Sequence, residues 1–335
     1  VDEAQRIKAG AWWLVALGSA APLVRRRLGR GRYAAQALAY LAPAALYVAL
    51  PRSRKRVVAV CASHMWAYLS AYELPNDRPE RLRQRVRVAY PIRLERLVAG
   101  GRLPTVVAQR HLNGRLGPLQ GVLVWTHWLW FAVPHAALAH ILRRDPERLP
   151  AAAARVYAVF DLGACCYWLL PTAPPWYAAA LARERGAEPD RELAAVRRLM
   201  VEYGEAFWQD GWGPLFKLLG GNPLAAMPSL HLATSLAAAL ELREVDPAAY
   251  RLALAYTLVL GFALVYLGEH YVVDLLGGAA LTVAVRRAAP ALAGAARAVQ
   301  GRLAALAQAG ERSYTSESKV MQPKEARWET VQASR

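Results

Sequence analysis

The sequence predicts an all-α integral membrane protein, on three observations. The 335-residue chain is 56% hydrophobic, with a mean hydropathy of +0.13. Apolar stretches recur along it, with basic or Pro/Gly punctuation between them. The formal charge of +17 comes almost entirely from Arg in the connecting segments, where it suits anionic lipid head groups. A pI of 10.2 taken alone points to nucleic acid. Nucleic-acid-binding modules are usually polar, however, and no binding motif is present, so nucleic acid is not an expected partner. The apolar content excludes disorder over most of the length. Eight apolar stretches also leave too little polar helix surface for the shell of a soluble bundle. Cys61, Cys165 and Cys166 cannot build a disulfide framework and lack the spacing of a structural zinc site. No metal or other cofactor is expected.

The expected spans run at about 10–24, 33–50, 57–72, 118–142, 151–170, 224–242, 252–267 and 270–286. Several fall short of the roughly 20 residues that cross a hydrocarbon core of about 30 Å. The first two form an N-terminal hydrophobic hairpin within 1–56. No small-residue cleavage pattern follows the first span, so it is read as retained. Trp12, Trp13, Trp125, Trp128, Trp130 and Trp176 suit the head-group level. Segment 73–117 carries ten Arg and is too polar to span. It reads as one or two surface helices ending in a turn near Asn113-Gly114. Residues 190–209 repeat Leu193, Val196, Leu199, Tyr203 and Phe207 at helical spacing. They predict one amphipathic helix with Asp190 as N-cap. A buried Asp161 needs a partner, with Arg155 or a neighbouring His available. Residues 309–335 are polar and aperiodic, and are read as a disordered end to a tail beginning at 291.

Arg counts set the orientation. Arg143, Arg144 and Arg148, the pair Arg243 and Arg251, the pair Arg286 and Arg287, and segment 51–56 share one side if there are eight spans. That side is expected to be cytoplasmic. The Arg-rich stretches 25–32 and 73–117 oppose the assignment; the length of the second accommodates it, whereas the first makes an interfacial first hairpin an alternative.

Two short segments carry chemistry. In Met227-Pro228-Ser229-Leu230-His231, Pro228 stands at the expected first turn of an apolar helix. Its free N–H groups and dipole favour a phosphate, Ser229 adds a hydroxyl, and His231 lies within the first turn. In Gly268-Glu269-His270-Tyr271-Val272-Val273-Asp274, His270 and Asp274 are i and i+4 and share a helix face. The Asp can fix one imidazole nitrogen and leave the other free, as in activated nucleophiles. The spans 224–242 and 252–267 run in opposite directions, so His231 and His270 can converge at one membrane side. A nucleophile with a general acid beside it suits phosphoryl transfer through a phosphohistidine. Intramembrane His and Asp residues also fit a proton relay in a transporter or lipid scaffold, but internal repeat symmetry is missing. His64, His127, His135 and His140 read as core histidines, and Cys165-Cys166 as packing.

The Pro-Ser-x-His and His-x-x-x-Asp pair resembles two motifs of the type 2 phosphatidic acid phosphatase superfamily. Leu230, the His270-Tyr271 pair and the segment Pro171–Tyr177 resemble its inositol phosphorylceramide synthase-like branch. The resemblance spans roughly 57–287. It implies a six-helix transmembrane core, a catalytic domain at 57–290, with two extra N-terminal hydrophobic helices and amphipathic surface helices. It implies His270 as nucleophile, Asp274 as its orienter, His231 as proton donor to the leaving group and Ser229 on the phosphate. Two family features are missing. Ala263 and Leu264 stand where the phosphatases have Ser-Arg, and the Lys-x6-Arg-Pro motif is lacking. A transferred phosphate still needs charge, for which Lys217, Arg110, Arg183 and Arg185 are the candidates.

The expected activity is transfer of a phospho-head-group, with inositol or a related polyol phosphate in view. A lipid phosphate or pyrophosphate phosphatase is the alternative. Expected partners are a phospholipid or polyprenyl-phosphate substrate and anionic membrane lipids. The expected location is the plasma membrane, with the site on the extracytoplasmic face.

Overall fold

The computed structural model describes residues 3–112, 117–184, 190–219 and 222–320. Sixteen α-helices form among them, and no β-strand. The apolar helices are α1 (Glu3–Val24), α2 (Arg32–Ala49) and α3 (Arg54–Glu73). Three short helices follow: α4 (Pro79–Arg85), α5 (Ala89–Val98) and α6 (Pro104–His111). Next come α7 (Pro118–Trp128), α8 (Ala132–Arg144) and α9 (Leu149–Leu169). Four short helices, α10 (Pro175–Glu184), α11 (Arg191–Ala194), α12 (Leu199–Trp208) and α13 (Trp212–Leu219), lead to α14 (Leu230–Leu242), α15 (Pro247–Tyr266) and α16 (Val272–Val320). Stretches long and apolar enough to cross a membrane lie at Glu3–Ala49, Pro118–Arg144, Leu149–Leu169 and Pro247–Tyr266. This is an all-α membrane protein, as expected.

The chain divides into two compact units, one of residues 1–71 with 292–335, the other of 72–291. In the first, Arg25 donates to Ser70 Oγ (2.9 Å), Ser70 to Gln36 Oε1 (2.7 Å) and Gln36 to the Ala67 carbonyl (2.8 Å). Buried polar groups need such partners, and this string joins α3 to α2. The third span therefore groups with the N-terminal pair, whereas the sequence reading set it in a domain starting at 57.

In the second unit, a three-residue 3-10 turn, Leu129–Phe131, joins α7 to α8 within the single apolar stretch. α14 packs on α15, α8 and α9. It has only 13 residues, about 20 Å at 1.5 Å per residue and roughly 10 Å short of a hydrocarbon core. The expected span 224–242 is helical only from Leu230. The segment before it is non-helical, with a turn at Pro223-Leu224 and a bend at Met227-Pro228, and Thr172 bonds it through Leu224 (3.0 Å) and Ala226 (3.3 Å).

Three further expectations are corrected. The segment 190–209 is two helices, because the chain leaves helical geometry between Ala194 and Leu199. Asp190 does cap the first, accepting from Leu193 N at 3.0 Å. Residues 309–320, read as irregular, continue α16; 321–335, Asn113-Gly114 and Arg185 lie outside the described residues. Arg155 pairs with Glu241 and not with Asp161.

Candidate active site

The site forms where the start of α14, the end of α15 and the start of α16 meet. Ser229 is the N-cap of α14, its Oγ accepting from Leu232 N (3.4 Å), the arrangement that favours Ser at such positions. Pro228 therefore precedes the cap and does not sit in the first helical turn. Its carbonyl accepts from Tyr167 Oη at 2.6 Å, and the same hydroxyl accepts from Leu230 N at 3.3 Å. Two of the N–H groups expected to await a phosphate are thus held by the protein itself. Ser229 is fully buried. Its amide donates to the Asp274 carbonyl at 2.9 Å, tying α14 to α16.

Gly268, two residues past the end of α15, has a φ of +81°, which suits a glycine after a helix C-terminus. The Glu269 and His270 amides turn back to the Leu264 carbonyl (3.0 and 3.1 Å). A Cβ on Gly268 would strike the Arg197 carbonyl oxygen. The turn delivers His270 into the interior, 3% exposed. A close approach at Gly278, where a Cβ would lie 2.5 Å from the Ser229 carbonyl oxygen, lets α16 lie against the α14 cap.

The side chains form a line. Asp274 Oδ2 faces His270 Nδ1 at 3.2 Å and accepts from Tyr271 N at 2.9 Å. His270 Nε2 lies 3.1 Å from His231 Nδ1. One self-consistent proton arrangement has Nδ1–H of His270 donating to the carboxylate and Nδ1–H of His231 donating to His270 Nε2. Asp274 is fully buried, and its Oδ1 has no partner among the described residues.

Residues the sequence reading passed over complete the site. Glu95 of α5, 0% exposed, accepts from the Val272 and Val273 amides at 3.0 Å each. It fills the N-terminal positions of α16, where a carboxylate opposes the helix dipole. Burial pushes its carboxyl above the ordinary carboxylate range, against those two amides, which favour the charged form. Arg198 forms a two-pronged pair with Glu269 (2.8 and 3.1 Å), the residue before His270. Its guanidinium lies 3.9 Å from the Trp176 ring centre, within cation–π range. His127, read as a core histidine, stacks on His231 with centroids 4.9 Å apart and planes at 28°. Trp130, read as a head-group residue, lies 4.3 Å from the same ring. Its indole N–H bonds Thr234 Oγ1 at 2.9 Å. His135 is a core histidine, with Nδ1 2.7 Å from the Phe131 carbonyl.

The candidate cations fare differently. Arg183 donates to the Ala194 and Val196 carbonyls (2.9 and 3.0 Å), so it closes the end of α11. Arg110 is exposed at the end of α6. The side chain of Lys217, in α13, lies outside the described residues. Ala263 and Leu264 are fully buried core. Arg198 is the cation that stands beside the His270 turn. Its signal was its place in the Arg197-Arg198 pair within the amphipathic segment 190–209.

An open groove of about 720 Å³, lined by Gly121, Trp125, Thr126, Leu129, Tyr203 and Phe207, runs along α7 and α12. It is mostly apolar, and its wall includes Thr126, the neighbour of His127 in α7.

Comparison with known proteins gives the family. The inositol phosphorylceramide synthase catalytic subunit aur1 of Schizosaccharomyces pombe is 27% identical over 214 residues. That match covers 61% of this chain and 47% of the yeast protein, so the chain spans about half the length of the curated relative it matches. No solved structure matches. The PAP2 superfamily pattern covers residues 115–288, just over half of the chain, and holds His231, His270 and Asp274. The chain therefore belongs to the PAP2 superfamily and resembles its inositol phosphorylceramide synthase branch.

Proposed function

We propose that the protein is a membrane-embedded phosphotransferase that moves a phospho-head-group between a lipid and an acceptor through a phosphohistidine on His270. Superfamily membership and the similarity to the yeast synthase subunit support the broader reading, an enzyme acting on lipid phosphate. The observation that carries the finer reading is the hydrogen-bonded line Asp274–His270–His231. Asp274 holds Nδ1 of His270 and directs its Nε2 lone pair outward, the orienter–nucleophile relationship. A substrate phosphorus reaching Nε2 takes the place of the His231 contact. As the N–P bond forms, the bond from phosphorus to the leaving oxygen breaks, and protonated His231 gives that oxygen its proton. In the second half, neutral His231 removes the proton of an acceptor hydroxyl, whose oxygen attacks phosphorus and releases His270.

The apolar groove along α7 and α12 offers room for a hydrocarbon chain. The Arg198–Glu269 pair brings a guanidinium near the transferred charge, and Ser229 serves mainly as the cap that fixes His231. The site lies at the end of α14 opposite Arg143, Arg144, Arg243 and Arg287. That supports a basic cytoplasmic end and an extracytoplasmic site. The yeast relative favours inositol phosphate as the transferred group.

The test is His270→Ala in the purified full chain, with phosphatidylinositol labelled in its head-group phosphate. Loss of both turnover and covalent label is expected; full turnover would refute the reading. Release of inorganic phosphate from phosphatidic acid or a polyprenyl pyrophosphate, with no acceptor required, would select a phosphatase.

A further inference from the structure

We propose that His127 is a third imidazole of the reaction cleft and donates a hydrogen bond to an oxygen of the substrate phosphate. The proposal rests on phosphate being handled at His231 and His270. His127 lies at the end of α7, two residues before the turn that carries Trp130. Its ring and that of Trp130 both pack on His231, at 4.9 and 4.3 Å between centroids. Near-parallel stacking precludes a hydrogen bond between the two imidazoles and leaves their edges side by side. A group bound along the edge of His231 therefore reaches the edge of His127 as well.

The hydrogen-bond inventory gives this ring a polar task. His127 Nδ1 is sealed from solvent with no partner. Nε2 is not sealed, and it bonds none of the described residues. An orphaned acceptor is tolerated inside proteins more readily than an orphaned N–H. The proton accordingly belongs on Nε2, as a donor at the open edge. A ring needed only for packing on His231 would be less costly as Phe, because an imidazole brings a dehydrated nitrogen that nothing satisfies. The neighbourhood uses Phe131 and Phe160 for that purpose, packed around His135. His135 bonds the Phe131 carbonyl through Nδ1 and leaves its own buried Nε2 without a partner, so the feature that sets His127 apart is its stack on His231. A phosphate oxygen is the acceptor that the reaction brings to this point, and hydrogen bonds to a charged acceptor are the stronger kind.

The experiment compares wild type, His127→Phe, His127→Gln and His270→Ala as full chains in detergent. It measures the affinity for orthovanadate, an analogue of the transferring phosphoryl group, together with turnover and melting temperature. His127→Phe keeps the stack and removes the donor. It should weaken vanadate binding about 10-fold or more without lowering the melting temperature. His127→Gln, which restores an N–H, should recover most of that loss. Wild-type vanadate affinity in His127→Phe would overturn the proposal, as would equal loss in Phe and Gln variants with an unchanged melting temperature. Full turnover by His270→Ala would instead strike the phosphohistidine reading, so the two failures are separable.

Discussion

The two ends of α14 both carry ionisable clusters, and they are built on opposite rules. At the C-terminal end, Glu241 accepts from Arg155 Nε (2.8 Å) and Arg286 (2.7 Å). Arg148 pairs with Glu244, and His140 lies 3.0 Å from Asp246. Glu241, Glu244 and Asp246 each have a basic partner there. At the N-terminal end, about 15 Å away by helix rise, three imidazoles gather with a fully buried Asp274 that keeps one oxygen unpartnered. A matched cluster holds helices together. An under-matched one retains hydrogen-bonding capacity for a substrate, and buried groups in that condition call for a reason of this kind. The same short helix joins structure to chemistry.

Substitutions can break this contrast. The largest effect is expected at His270. Its Ala variant should lose at least about 10⁴-fold in turnover while its melting temperature stays near wild type, which a labelled-lipid assay and a thermal melt in detergent would check. Asp274→Asn should follow, at roughly 10²–10⁴-fold in kcat, because an amide no longer fixes the His270 tautomer. A kcat within threefold of wild type would remove Asp274 from the mechanism.

Glu241→Ala should do the reverse. Arg155 and Arg286 are about a third exposed (31% and 36%), so water recovers part of the loss. A destabilisation of about 1–3 kcal/mol is expected, with kcat of the folded fraction unchanged. If kcat fell and stability did not, the division between the two ends would be wrong.

The smallest effect concerns Asp246. The Ala249 amide, then His140 and the Ala248 amide, hold its carboxyl below the ordinary carboxylate range. A carboxylate with a depressed native pKa stabilises the fold above its unfolded pKa, near 4, and loses that contribution as pH falls through the native value. Asp246→Asn should therefore melt slightly below wild type at neutral pH, and the two curves should merge below about pH 3–4. A constant offset down to that pH would exclude this source.

Much of this was legible in the sequence because it depends on local order. Apolar runs marked where the spans lie. The i,i+4 spacing placed Asp274 behind His270, and antiparallel neighbours brought His231 to His270. Legibility stopped where partners come from distant segments. Glu95 reads as one acid among many Arg, and only packing of α5 on the start of α16 makes it a cap for Val272 and Val273. Arg198 reads as one half of an Arg pair in an amphipathic segment. The break before Leu199 and the turn at Gly268 set it on Glu269. His127 is one histidine among several in apolar helices, and its stack on His231 is set by how α7 leads into α8.

The sequence by itself determined the helical membrane class, the basic connecting segments and the placing of Asp274 behind His270, since hydropathy, charge and i,i+4 geometry are properties of neighbours along a chain. Tertiary structure decided that α14 is short, that Ser229 caps it, which cation stands at the site and which histidine joins it. Those outcomes depend on which surfaces meet, and hydrogen bonds spanning 39 to 178 residues are fixed by packing and not by local sequence.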